Sequence, residues 1–146
     1  MVEQSGPVAA VEVAMVEVRR RQSRRAMARS AGADAADIAV QDVLDAVEAA
    51  DGPLGVTGIA DVLGVDQPRA SKLVAAAVAA GVLRREADQA DGRRSRLALT
   101  ADGRARLAVV HEHRRARFDA AMDGWSAAEK ATFADLLTRF VARLDG

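Results

Sequence analysis

The chain contains no cysteine at all. That absence removes disulfides, thiolate metal sites, cysteine nucleophiles and thiol redox switches together. Aromatic residues make up only 3% of a chain that is 50% hydrophobic, so any core has to be built from Ala, Val, Leu and Ile. No apolar run approaches the roughly 18 to 20 residues that a membrane helix needs, and Met1 to Pro7 lacks a basic start followed by an apolar stretch. A soluble, cytoplasmic protein with no membrane partner is expected. Histidine is nearly absent too. The two that exist, His111 and His113, bracket Glu112, and on a helix residues i and i+2 point about 200° apart, which prevents both imidazoles from closing on one ion. With no phosphate loop and no nucleophile elbow either, nothing supplies a catalytic constellation, and neither a metal nor a cofactor is expected.

The 146 residues suit one domain or a tightly fused pair of lobes, and 21 Lys+Arg balance 21 Asp+Glu. The zero total hides segregation along the chain. Residues 17–30 carry six arginines and one acid, residues 31–66 carry eight acids and no base, and residues 67–100 carry seven bases and three acids. Binding a polyanion requires a local positive surface rather than a positive total, because phosphate attraction is screened over about 10 Å at moderate salt. The two basic segments flanking the acidic one are candidates for that surface, although charge runs are commonly just solvated helix faces.

Periodicity and breakers divide the chain. From Val8 to about Arg29 there is no Gly or Pro, and a long helix is predicted. A break is expected at 30–34, around Gly32. Ile38, Val43, Leu44 and Val47 then mark a second helix, which Asp51-Gly52-Pro53 stops. Ile59, Val62 and Leu63 give a short third helix over 56–63, followed by a tight turn at Gly64-Val65. Asp66 is placed to cap the next helix, and Pro68 in its first turn sacrifices no intrahelical bond. Ala70, Leu73, Val74, Ala77 and Val78 form one stripe on that helix, leaving Gln67, Arg69, Ser71 and Lys72 off it. Residues 82–87 and 94–100 are β-compatible runs around a polar tip with Gly92, which predicts a hairpin. Thr100 caps a helix running to about Met122, and Ser126-Ala-Ala-Glu129 is a capping box opening a last helix. Trp125 precedes it and is expected to pack on a neighbouring helix. Phe133, Leu136, Leu137, Phe140, Val141 and Leu144 form its apolar stripe, read as a dimer seam.

A short helix, a turn, a second helix with polar N-terminal residues and then a basic hairpin is the order of a winged helix-turn-helix. The second helix fits the DNA major groove, and the hairpin follows the phosphates or enters the minor groove. The stretch from Ile59 through Leu63-Gly64-Val65-Asp66 to Val74, then Gly81-Val-Leu-Arg-Arg85, Asp91-Gly-Arg93 and Leu99-Thr-Ala-Asp-Gly-Arg104, resembles the MarR-type transcriptional regulators. The resemblance extends over about residues 8 to 144. It implies an obligate homodimer in which N- and C-terminal helices intertwine. It also implies that Gln67, Arg69, Ser71 and Lys72 occupy recognition-helix positions, that Arg93 is the wing-tip arginine of the minor groove, and that Asp91 orients it. Gly55 stands where the family commonly has a Thr cap, Ala75 and Ala76 where polar groups are common, and Arg94 where a small residue is usual.

The fold expected is mainly α with a small β-wing. A single MarR-like domain combines a winged helix-turn-helix lobe (37–100) with a helical dimerisation region (8–30 and 101–145). The expected function is a homodimeric, sequence-specific transcriptional regulator, a ligand-relieved repressor on a pseudo-palindromic operator, with recognition helix 67–80 in the major groove and wing 88–94 at the minor groove. Double-stranded DNA, a second copy of the chain and a small-molecule effector are the expected partners. The DNA-contacting set is Gln67, Pro68, Arg69, Ser71, Lys72, Arg84, Asp91, Arg93 and Arg94. The competing reading is a helical, dimeric protein-interaction module or anti-regulator that has lost DNA binding, which the neutral total charge and the alanine-faced helix favour and the Asp91-Gly92-Arg93 tip opposes.

Overall fold

The computed structural model describes residues 6–30, 35–87 and 89–144. Residues 31–34, where the break around Gly32 is expected, and Asp88 of the wing tip lie outside them. Six helices and one hairpin follow in the order α1 (Pro7–Ser30), α2 (Ala35–Ala49), α3 (Val56–Leu63), α4 (Gln67–Ala79), β1 (Leu83–Ala87), β2 (Ser95–Leu99), α5 (Ala101–Ala121) and α6 (Ala127–Val141). This is the expected fold class, mainly helical with a small antiparallel wing. The chain divides into two compact units, Met1–Gly103 and Arg104–Gly146, and the division falls inside α5.

In the first unit the core is aliphatic, as the lack of aromatics requires. Val40, Val43 and Leu44 of α2, Ile59 of α3, Ala70, Val74 and Ala77 of α4, and Leu83 and Leu97 of the hairpin are all buried. Burying side chains of this size contributes about 1.5–3 kcal/mol each for the larger ones. The alanines of α4 contribute close approach instead, since a methyl lets neighbouring helices lie against the backbone. The turn between α3 and α4 is made by Gly64, whose φ of +63° and ψ of +36° are left-handed, and its amide donates back to the end of α3. A residue with a Cβ is strained there.

The hairpin is paired antiparallel in the register Leu83 with Leu99, Arg85 with Leu97 and Ala87 with Ser95. Its second strand is tied on the other side as well, because the Leu97 amide donates to the Leu54 carbonyl at 2.8 Å. That bond anchors the chain entering α3 beside the wing. Gly55 follows, and a Cβ there would lie 3.2 Å from the Ser95 carbonyl oxygen, a tight contact that the strand would have to relieve by a few tenths of an ångström.

At the base of the wing, the Thr100 hydroxyl donates to the Gly81 carbonyl at 2.6 Å and accepts from the Gly103 amide at 3.0 Å. One side chain thus caps α5 and fastens its start to the chain leaving α4.

In the second unit, α5 and α6 form a helical pair. Ser126 and Glu129 make the expected capping box: the Ser126 amide donates to Glu129 Oε2 at 2.7 Å and the Glu129 amide donates to Ser126 Oγ at 3.2 Å. Lys130 of α6 pairs with Asp119 of α5 at 2.5 Å. Trp125 packs edge-on against Phe133, one turn further along α6 than a hydrophobic staple would reach, with ring centroids 5.3 Å apart. None of the described residues of α6 is buried within the chain.

Candidate nucleic-acid interface

Helix α4 is built to hold its first turn out. Asp66 has extended backbone and its carboxylate accepts the Arg69 amide at 2.8 Å, which fixes the helix start, and Pro68 lies in the first turn. With Ala70, Val74 and Ala77 fully buried, the helical period places Gln67, Pro68, Arg69, Ser71 and Lys72 in solvent, and all five are exposed. Gln67 donates weakly to the Thr57 hydroxyl at 3.4 Å, joining the first residue of α4 to α3. Beyond Lys72 the exposed face is small and apolar, with Ala75, Ala76 and Ala79.

The wing tip is organised by Asp91. Its carboxylate accepts the Arg93 amide at 3.1 Å, and its carbonyl accepts the Arg94 amide at 2.9 Å, so the turn is held by local bonds. The expectation that Asp91 orients Arg93 takes a different form here. Asp91 reaches Arg93 through the backbone, while its ion pair is with Arg94, whose Nε lies 3.5 Å from Oδ2. The Arg93 guanidinium carries no ion pair among the described residues and stands exposed at the tip.

Further down the hairpin the arrangement changes. Arg84 donates from Nε to Glu86 Oε1 at 2.7 Å, and its Nη2 approaches the same oxygen at 2.5 Å. Arg96, directly opposite Glu86 in the register, donates to Oε2 from Nε at 3.1 Å and Nη2 at 2.9 Å. Both carboxylate oxygens are therefore engaged, each by a different arginine. The hydrogen bond from Arg84, reinforced by the charges of Arg84 and Arg96, holds the Glu86 carboxyl below its ordinary value, against the opposing effect of burial. Sequence alone puts Arg84 among the DNA contacts and gives Glu86 no role. The signal is present in the alternation of Arg84 and Glu86 two residues apart, which puts them on one face of a strand, but Arg96 joins them only once the hairpin register is known.

The seven bases of 67–100 thus fall into two groups among the described residues. Arg84, Arg94 and Arg96 are paired with carboxylates, while Arg69, Lys72, Arg85 and Arg93 have no acidic partner. A cleft of about 620 Å³ lies between the start of α3 and the wing, where Thr57 of α3 faces Arg94, Ser95 and Arg96.

Residues 39–94 match the family model described as MarR family. No match is found among curated protein sequences. Among solved structures, a MarR-family transcriptional regulator from Silicibacter pomeroyi is similar at 23% identity with a TM-score of 0.66, covering 99% of this chain and 96% of that one. A MarR family protein from Bacillus stearothermophilus is similar at 18% identity and a TM-score of 0.71, over 100% of this chain and 99% of that one. A transcriptional regulator protein from Pseudomonas aeruginosa is similar at 23% identity and a TM-score of 0.69, over 92% of each chain. Residues 39–94 thus match the MarR family model, and the chain as a whole has the winged helix-turn-helix fold of these solved MarR-family structures.

Proposed function

We propose that the protein is a homodimeric, sequence-specific DNA-binding transcriptional regulator of the cytoplasm, acting as a repressor that a small ligand releases. The observation that carries the reading is the placement of Arg69, Lys72 and Arg93. All three are exposed and without acidic partners among the described residues, at the first turns of α4 and at the wing tip of one compact unit. These are the positions from which a helix start reaches base edges and phosphates in the major groove and a hairpin arginine reaches a narrow, negative minor groove. Gln67, Pro68 and Ser71 complete the start of the helix, and Arg84, Asp91 and Arg94 shape the wing beside it.

Dimerisation is the second half of the proposal. Phe133, Leu136, Leu137, Phe140 and Val141 form one stripe on α6 and stand between 36% and 54% exposed in the single chain. A contiguous apolar stripe of this kind is covered by a partner in a soluble protein, and a second copy supplies a two-fold axis. Two lobes then address half-sites about one helical turn apart, roughly 34 to 36 Å.

The test is a fluorescence-anisotropy titration of the full chain against DNA from upstream of its own gene and against scrambled DNA, at several salt concentrations. Lys72→Ala and Arg93→Ala are each expected to weaken binding and to flatten the log–log salt slope by about one for each phosphate no longer neutralised. Unchanged affinity and slope in both variants would remove these residues from the interface, and absence of binding to either DNA would favour the protein-interaction module.

A further inference from the structure

We propose that Glu86 is a built-in counter-charge that withholds two wing arginines from DNA and so sets how strongly the wing binds duplex regardless of sequence. The inference rests on the DNA-binding reading above and deepens it. Three arginines on the wing are paired, but the pairings are not alike. The bond between Arg94 and Asp91 is long, at 3.5 Å, and the Arg94 side chain is 81% exposed, so it is readily exchanged for a phosphate. At Glu86 the bonds are short, both oxygens are used, and the carboxylate is only 26% exposed. A phosphate that takes Arg84 or Arg96 must break charge-assisted hydrogen bonds that are already made.

The geometry also places the negative charge where it acts on DNA. Arg84 and Glu86 alternate on one face of β1, and Arg96 lies opposite Glu86 on β2, so that face of the hairpin carries one net positive charge instead of two. Sequence-independent affinity grows with the number of phosphates neutralised, and the slope of log affinity against log salt grows with it. A carboxylate among these arginines lowers both. Because Arg69, Lys72 and Arg93 stay unpaired among the described residues, the attenuation falls on the strands of the wing and leaves the tip and α4 untouched.

The experiment compares the full-length protein with Glu86→Gln, Arg84→Ala and the double variant, titrated by anisotropy against scrambled duplex and against its own upstream DNA over a range of salt. Glu86→Gln is isosteric and lies on the surface of the hairpin. It is expected to bind scrambled DNA about three- to tenfold tighter near 0.1 M salt, with a log–log slope steeper by about one per lobe. Arg84→Ala alone is expected to weaken binding to scrambled DNA less than it does in the Glu86→Gln background, where the arginine removed is one that Glu86 no longer holds. Unchanged or weaker binding by Glu86→Gln, or an equal cost of Arg84→Ala in both backgrounds, overturns the proposal while the DNA-binding reading stands on the wild-type titration. Failure of wild type and Glu86→Gln alike to bind either DNA overturns both.

Discussion

At Gly103 the missing side chain sets how closely α5 can begin to the end of α4. A Cβ at this position would collide with the Val82 carbonyl oxygen, and that oxygen is itself held by the Thr100 amide at 3.2 Å. Neither partner is the tip of a flexible side chain, so the backbone has to move. Gly103→Ala is expected to destabilise the protein by about 3 kcal/mol, measured as a lower midpoint in denaturant unfolding, whereas the same change at the open, exposed Gly92 should leave the midpoint nearly unmoved. A second residue-scale effect belongs to Glu129. Its carboxylate accepts the Ser126 amide, and that hydrogen bond lowers its pKa from the ordinary 4.5. A group with a lowered folded-state pKa contributes stability above its unfolded value, and that contribution disappears as pH falls through the folded one. Wild type should therefore lose stability on acidification below about 4.5, and Glu129→Gln should lose less over the same interval, because an amide oxygen keeps the capping bond without titrating. Parallel losses in thermal melts across that pH range would refute the assignment.

At the scale of the element, α4 depends on its cap. Asp66 satisfies the Arg69 amide, and its replacement by Ala is expected to cost about 1 kcal/mol. It should also weaken DNA binding through fraying of the turn that carries Gln67 and Arg69, an effect that Asp66→Ser should largely reverse. Helices α3 and α4 are legible in the sequence because their boundaries coincide with residues that cannot continue a helix, Gly64 between them and Gly81 after them, while the apolar spacing within each is unambiguous. The capping box of α6 is legible for a similar reason, since Ser and Glu three apart satisfy each other locally. What is not legible is whatever depends on two distant segments meeting. Glu86 is separated from Arg96 by a turn of several residues, and only the strand register brings them together. The division of labour at Asp91, whose carboxylate accepts the Arg93 amide through one oxygen and pairs with the Arg94 side chain through the other, turns on side-chain rotamers that residue type and order leave open. The crowding at Gly55 likewise comes from a carbonyl at position 95.

Over the whole molecule, the neutral total charge conceals a partition that local pairing refines. The acidic stretch of 31–66 places four of its eight acids on α2, which also supplies Val43 and Leu44 to the core, while within residues 67–100 the described bases without an acidic partner lie on α4 and the wing. The other global feature is α6, which buries none of its described residues within the chain. In the proposed homodimer that stripe is the seam. Leu136→Glu combined with Phe140→Glu is expected to convert dimers to monomers in sedimentation velocity and to reduce operator affinity by about two orders of magnitude or more, since each lobe would then have to bind without its tethered partner. Dimers that survive this double change would place the seam elsewhere.

The alanines at 75, 76 and 79 bear on how much text each lobe can read. A helix whose polar reach ends near Lys72 can interrogate only a few adjacent base pairs, and a short word recurs often in any genome. Selection from a pool of random duplexes should then return two brief, strongly constrained blocks separated by a spacer whose length is fixed and whose letters are free, so that most of the address is written in the distance between the words.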